Sequence, residues 1–129
     1  MSYKFYNANA RGKFHNDCSI RAISLAERKT WDETYEELSL IAQHNGIILD
    51  DVNFIEPLLD SRYDRICYNE KYVGDFAEEH PEGTYLITMN GHITCCIDGV
   101  IYDTFDCRDR VMWCAWEVFW PPNYGLVAK

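Results

Sequence analysis

The apolar period changes at Gly83, and that change fixes the fold class. Before it, apolar residues recur every three or four positions. After it they alternate, or run in short blocks suited to strands. Thr84 to Met89, Ile93 to Ile97 and Val100 to Phe105 follow in turn, and Val111 to Trp120 runs up to Pro121-Pro122. Asp98-Gly99 is a two-residue hairpin signal between the second and third of these strands. Helices first and antiparallel strands second, with no repeat and no linker, predict an α+β domain.

Before Gly83, residues 18 to 27 predict a helix that is apolar on most sides and so buried, with Asp17 as its N-cap. Thr30 and Glu33 have capping-box spacing and open a second helix over Trp31 to His44. Trp31, Tyr35, Leu38 and Ala42 form its apolar face, and Asn45-Gly46 supplies the stop. Short helices fit Asp51 to Leu59, with Pro57 inside, and Val73 to Glu79. Residues 1 to 17 are polar and turn-rich and predict an ordered lead-in loop.

A chain of 129 residues suits one domain with its own core, here residues 1–129, and is too short for two. An apolar share of 47%, with 15% aromatic, argues against disorder. A net charge of −9 argues against nucleic acid or an anionic membrane as partner, because phosphate binding needs a basic footprint. No apolar run is long enough to span a bilayer. The opening Met1-Ser2-Tyr3-Lys4 has no apolar leader. Six cysteines are therefore expected as thiols in a reducing cytosol, and the adjacent Cys95 and Cys96 diverge along a strand.

Cys18 falls in the first turn of the first helix, where the dipole lowers a thiol pKa. No other cysteine has that placement: Cys67 reads as loop, and Cys95, Cys96 and Cys114 as strand. His92 follows Gly91 at the start of the hairpin. A turn at Asp98-Gly99 pairs Ile97 with Val100, Cys95 with Tyr102, Thr94 with Asp103 and His92 with Phe105. His92, Thr94, Asp103 and Phe105 then share a face, so Asp103 is the carboxylate able to orient His92. Asp106 serves only if a bulge shifts the register. A thiol nucleophile, an imidazole base and an orienting carboxylate make an acyl-transfer site. Its oxyanion donors are the Cys18 N–H and an upstream side-chain amide. Asn7, Asn9 and Asn16 are available, and Asn7 or Asn9 is preferred because that loop can fold over the thiol.

Taken singly, these residues read otherwise: Cys18 as a core thiol, His92 as an edge histidine, Asp103 as a strand residue. Their conjunction carries the site. Cys95, Cys96, Cys107 and Cys114 with His92 lack zinc-knuckle spacing, so no metal or other cofactor is expected. Trp116 shares a face with Trp120 and Cys114 and reads as packing, and the acidic run from Asp75 to Glu82 as a solvated face.

The chain resembles small papain-like cysteine peptidases, the compact papain-fold proteins encoded by bacteria and their phages. The resemblance rests on Tyr6-Asn7-Ala8-Asn9, Asp17 to Ile23, Gly83 to Ile87 and Gly91 to Asp106. It implies Cys18 as nucleophile, His92 as base and Asp103 as orienter, on N-terminal helices packed against a C-terminal antiparallel sheet. The chain departs from the large papain-like proteases in lacking their upstream Gln and the Trp after the nucleophile. The resemblance implies a hydrolase or acyltransferase acting on a peptide, isopeptide or other amide, and the thiols and missing leader set the expectation that it is cytoplasmic. The rivals are an inactive papain-fold module that binds a host or phage protein, and a thiol-based redox or metal protein.

Overall fold

The computed structural model describes residues 3–9, 11–12, 17–49 and 52–119. Its elements are β1 (Tyr3–Phe5), α1 (Cys18–Ala26), α2 (Trp31–His44), α3 (Val52–Arg62), β2 (Arg65–Cys67), α4 (Val73–Glu79), β3 (Thr84–Met89), β4 (His92–Ile97), β5 (Val100–Asp103) and β6 (Met112–Val118). The six strands form one sheet in the order β1-β5-β4-β3-β6-β2. The class is α+β, as the period change predicts.

Two cores flank the sheet. Ile20 and Ile23 of α1, Leu38 of α2 and Leu59 of α3 pack over Leu86, Cys95 and Trp116 on one face. Phe76 and Ala77 of α4 cover Ile87, Cys96, Ile101 and Met112 on the other. All six residues of β3 are buried, because this central strand is covered on both sides. The buried Glu27 just after α1 accepts from Arg62 Nη1 at 2.9 Å and from the Tyr63 hydroxyl, tying α1 to the end of α3.

The capping box forms as spaced: Thr30 Oγ1 accepts from the Glu33 N–H at 3.0 Å, and Glu33 Oε1 from the Thr30 N–H at 2.9 Å. Leu38 and Ala42 face the core, but Tyr35 is exposed and stacks on Trp31, and Thr34 is buried in its stead. Asp17 holds the N-cap position without capping, because its carboxylate is engaged by Arg21 at 2.5 Å and by the Trp31 indole at 2.9 Å. Pro57 sits inside α3, which continues to Arg62. The acidic residues from Asp75 to Glu82 are exposed as expected, and Trp116 is core; Trp120 and Asn16 lie outside the described residues.

Three expectations are corrected. Residues 3–5 are strand rather than loop, and β1 runs parallel to β5, so the sheet is mixed rather than antiparallel. Cys67 lies in a strand, because β2 adds to the far edge of the sheet beside β6. The cysteines are not all thiols: Cys67 and Cys114 form a disulfide, and Cys18, Cys95, Cys96 and Cys107 are free. The register explains the bridge. It sets Cys67 directly opposite Cys114, with Cα atoms 4.1 Å apart. Such closeness is reached only where an antiparallel pair is not itself hydrogen-bonded.

Candidate active site

The site forms where the N-terminus of α1 meets the start of β4. Helix α1 packs on the β4 face that carries Ile93 and Cys95, and its first residue, Cys18, meets His92 at the very start of that strand. His92 is fixed by the Asn90-Gly91 turn, which pairs it with Met89 and needs Gly91 at a φ of +70°.

Asp103 ends β5 and is 4% exposed. The ladder between β4 and β5 stops at Cys95 and Tyr102, yet the parity it sets persists. His92 Nε2 lies 2.6 Å from Asp103 Oδ2, and Phe105 packs on the imidazole with ring centroids 4.7 Å apart. The Thr104 N–H donates to Asp103 Oδ1 at 2.7 Å, and the Cys107 thiol donates to Oδ2 at 3.9 Å. Strand β1 holds the same residue by its backbone. The Tyr6 N–H and the Tyr3 hydroxyl both donate to the Asp103 carbonyl, at 2.9 and 3.2 Å.

With Nε2 on Asp103, the remaining nitrogen Nδ1 is left for the thiol. Burial pushes the Cys18 thiol up. The hydrogen bond from the His92 ring, the Ile93 N–H and the charges of His92 and Arg21 outweigh it and bring the thiol below its usual value. Burial likewise disfavours imidazolium, but bonds to Asp103 and Cys18 raise His92 to about 9. Asp103 is driven up by burial and further down by His92 and the Thr104 N–H. These directions favour the ionised thiol beside an imidazolium and a carboxylate. The other free thiols behave oppositely: burial pushes Cys96 and Cys107 to about 12, and Cys95 higher still.

No protein-family model, curated protein or solved structure matches this chain.

Cys18, His92 and Asp103 are thus brought together. Asp106 is not among them: it turns outward, with Arg108 Nε and Nη2 at 2.8 and 2.6 Å. Asn7 and Asn9 order their own loop, Asn7 Oδ1 accepting from the Asn9 N–H and Asn9 Oδ1 from the Arg11 N–H, both at 3.0 Å. Among the described residues, Tyr6 lines the cavity at Cys18 and neither asparagine does. That cavity is small, about 10 Å³, and is shared by Cys18, Leu25, Ile93 and Asp103. Through Tyr6 and Leu25 it adjoins a larger one of about 570 Å³ walled by Trp31 and Ala8.

Two further groups stand at the site: Cys107, weighed from the sequence only as part of a zinc set with His92, and Arg21, which the sequence reading did not single out. Cys107 joins His92 and Asp103, their donor atoms within 4.8 Å of one another, in a set with the chemistry of a metal site. Arg21 reaches the site from α1. Its signal was available, because an arginine four residues after Asp17 in a helix buried on most sides needs an acidic partner. Cys95 and Cys96 point into opposite cores, and Cys114 is in the disulfide, so those cysteines form no joint ligand set.

Proposed function

We propose that this chain is a cysteine hydrolase or acyltransferase of papain-like type, acting on a peptide, isopeptide or other amide through a Cys18 thioester. The observation that carries the reading is the continuous hydrogen-bonded series Cys18–His92–Asp103, with the thiol lowered and the imidazole raised. Buried structural thiols shift the other way, as Cys95, Cys96 and Cys107 do.

In the proposed reaction the Cys18 thiolate attacks the amide carbonyl carbon. The C–N bond breaks as His92 gives its proton to the departing amine, and a thioester remains. Neutral His92 then takes a proton from water, or from an acceptor amine, as it attacks the thioester. The acyl product leaves and the thiolate–imidazolium pair is restored. Asp103 stays ionised and stabilises the imidazolium. The Cys18 N–H, in the first turn of α1, has no intrahelical partner and is the oxyanion donor. Asn7 or Asn9 supplies a second donor if substrate closes the 6–9 loop over the thiol.

A second reading, a papain-fold module that binds a protein without turnover, is favoured by the 10 Å³ cavity at Cys18, which has room for about one water. p-Nitrophenyl acetate separates the two. The catalytic reading expects a burst of nitrophenolate and an acetyl group on Cys18, both lost in His92→Ala. Acetylation of Cys18 no faster than that of a free peptide thiol leaves the binding module.

Among the described residues no helix is long and apolar enough to cross a membrane. We infer a cytoplasmic setting from the free state of Cys18, Cys95, Cys96 and Cys107, and the Cys67–Cys114 bridge weighs against it. A Cys67–Cys114 bridge trapped by alkylation in intact cells removes that assignment.

A further inference from the structure

The Asp103 carboxylate is held on one side by His92, and its other oxygen meets a cation from a different element. Arg21 Nη2 lies 3.6 Å from Asp103 Oδ1, while Arg21 Nη1 lies 2.5 Å from Asp17 Oδ1. Arg21 is 9% exposed, and both carboxylates are buried with it. It sits on α1 one turn after Cys18, so one guanidinium spans the helix that carries the thiol and the strand that carries the acid. The Trp31 indole donates to the second oxygen of Asp17 at 2.9 Å, which fixes the far end of the series.

We propose that Arg21 is a positioning residue of the Cys18 site, a buried fork that fixes Asp103 behind His92 and locks the start of α1 in register with β5. The inference rests on the acyl-transfer reading above. An ion pair with Asp17 alone would explain a buried arginine on α1, but it would not call for a second carboxylate from β5. Asp103 needs a counter-charge besides His92, because His92 is neutral in half of the proposed cycle. A buried carboxylate facing a neutral imidazole would otherwise take up a proton. Arginine suits the task, since its two terminal nitrogens meet two acceptors at once while lysine offers a single point charge. Among the described residues, the charged and titratable groups near Asp103 are Arg21 from α1, His92 and Cys95 from β4, Tyr3 from β1 and Cys107 from the loop after β5.

The test is the pH profile of Cys18 alkylation by iodoacetamide, followed by peptide mass spectrometry, in the wild type, Arg21→Met and Arg21→Lys. Circular dichroism and thermal melting check the fold. Removing the cation should raise the midpoint of the Cys18 profile by about one pH unit and slow labelling near pH 6 about tenfold. Arg21→Lys should fall between, because it keeps charge and loses the fork. A folded Arg21→Met that melts lower but keeps the wild-type profile overturns the proposal and leaves the Cys18 reading standing. If Arg21→Met does not fold, Arg21→Lys decides: a profile identical to wild type overturns the proposal. Wild-type protein with no preferential labelling of Cys18 sinks the underlying reading, and the role of Arg21 with it.

Discussion

His92 Nε2 and Asp103 Oδ2 lie 2.6 Å apart although the ladder between their strands has already ended at Cys95 and Tyr102. The contact therefore rests on side-chain parity rather than on backbone pairing at that level. Asp103 is held instead from its other side, by β1.

Replacing Asp103 by Asn should remove the charge that raises His92 to about 9, and let its pKa fall toward the ordinary value. Cys18 then loses its imidazolium at neutral pH. Alkylation near pH 7 should slow at least about tenfold, a shift of one pKa unit or more. Asp106→Asn should change it less than about twofold, because Asp106 meets Arg108 at the surface. Ring-proton NMR titration of His92 in both variants reads the cause directly, and equal effects from the two would sink the assignment.

Selective chemistry should follow the opposite pKa shifts of the free cysteines. Between the lowered Cys18 value and the His92 value near 9, Cys18 should label at an almost constant rate in native protein. Cys95, Cys96 and Cys107 should label only after unfolding, since burial holds them as thiols. Timed quenching at several pH values, with peptide mapping, gives the four rates separately.

Stability should also carry the mark of His92. Its folded pKa, about 9, exceeds the unfolded value of about 6.5, so the native state binds the extra proton between them. This contribution is complete below about pH 6.5 and is lost as pH rises through about 9. His92→Gln should flatten that alkaline decline in urea midpoints measured from pH 6 to 9.5. A decline of unchanged slope would show that other groups cause it.

The Cys67–Cys114 bridge closes a loop with a sequence separation of 47. In the loop-entropy account this is worth about 4 kcal/mol. Thiol titration of protein unfolded without reductant should count four groups, not six. Reduced protein should unfold at a clearly lower urea concentration than oxidised protein. A count of six thiols would return Cys67 and Cys114 to the free state that the sequence led us to expect.

What was legible in the sequence was whatever local chemistry decides. The Thr30–Glu33 box set the start of α2, and Asp98-Gly99 set the register that put Asp103 rather than Asp106 on the His92 side. What stayed hidden depends on distant partners. Tyr3–Phe5 and Arg65–Cys67 are three-residue edge strands, too short to show a period, and each exists by pairing with an already formed sheet. The disulfide was missed for the same reason, since only β2 brings Cys67 opposite Cys114. Asp17 was correctly placed at the helix start, but its carboxylate was claimed by Arg21 and Trp31, which propensity does not weigh. The asparagine loop could be read for its amides but not for where they point.

The parallel seating of β1 beside β5 bears on how the chain comes to life on the ribosome. Cys18 and its helix are made well before His92 and Asp103. The Tyr3–Asp103 contact then closes over a separation of 100 residues. Contacts of such range form late and slowly. A nascent chain therefore carries Cys18 as an ordinary thiol, and its acidity is a property of the finished fold. An order of assembly written into the topology keeps the thiol quiet until the last strands are in place.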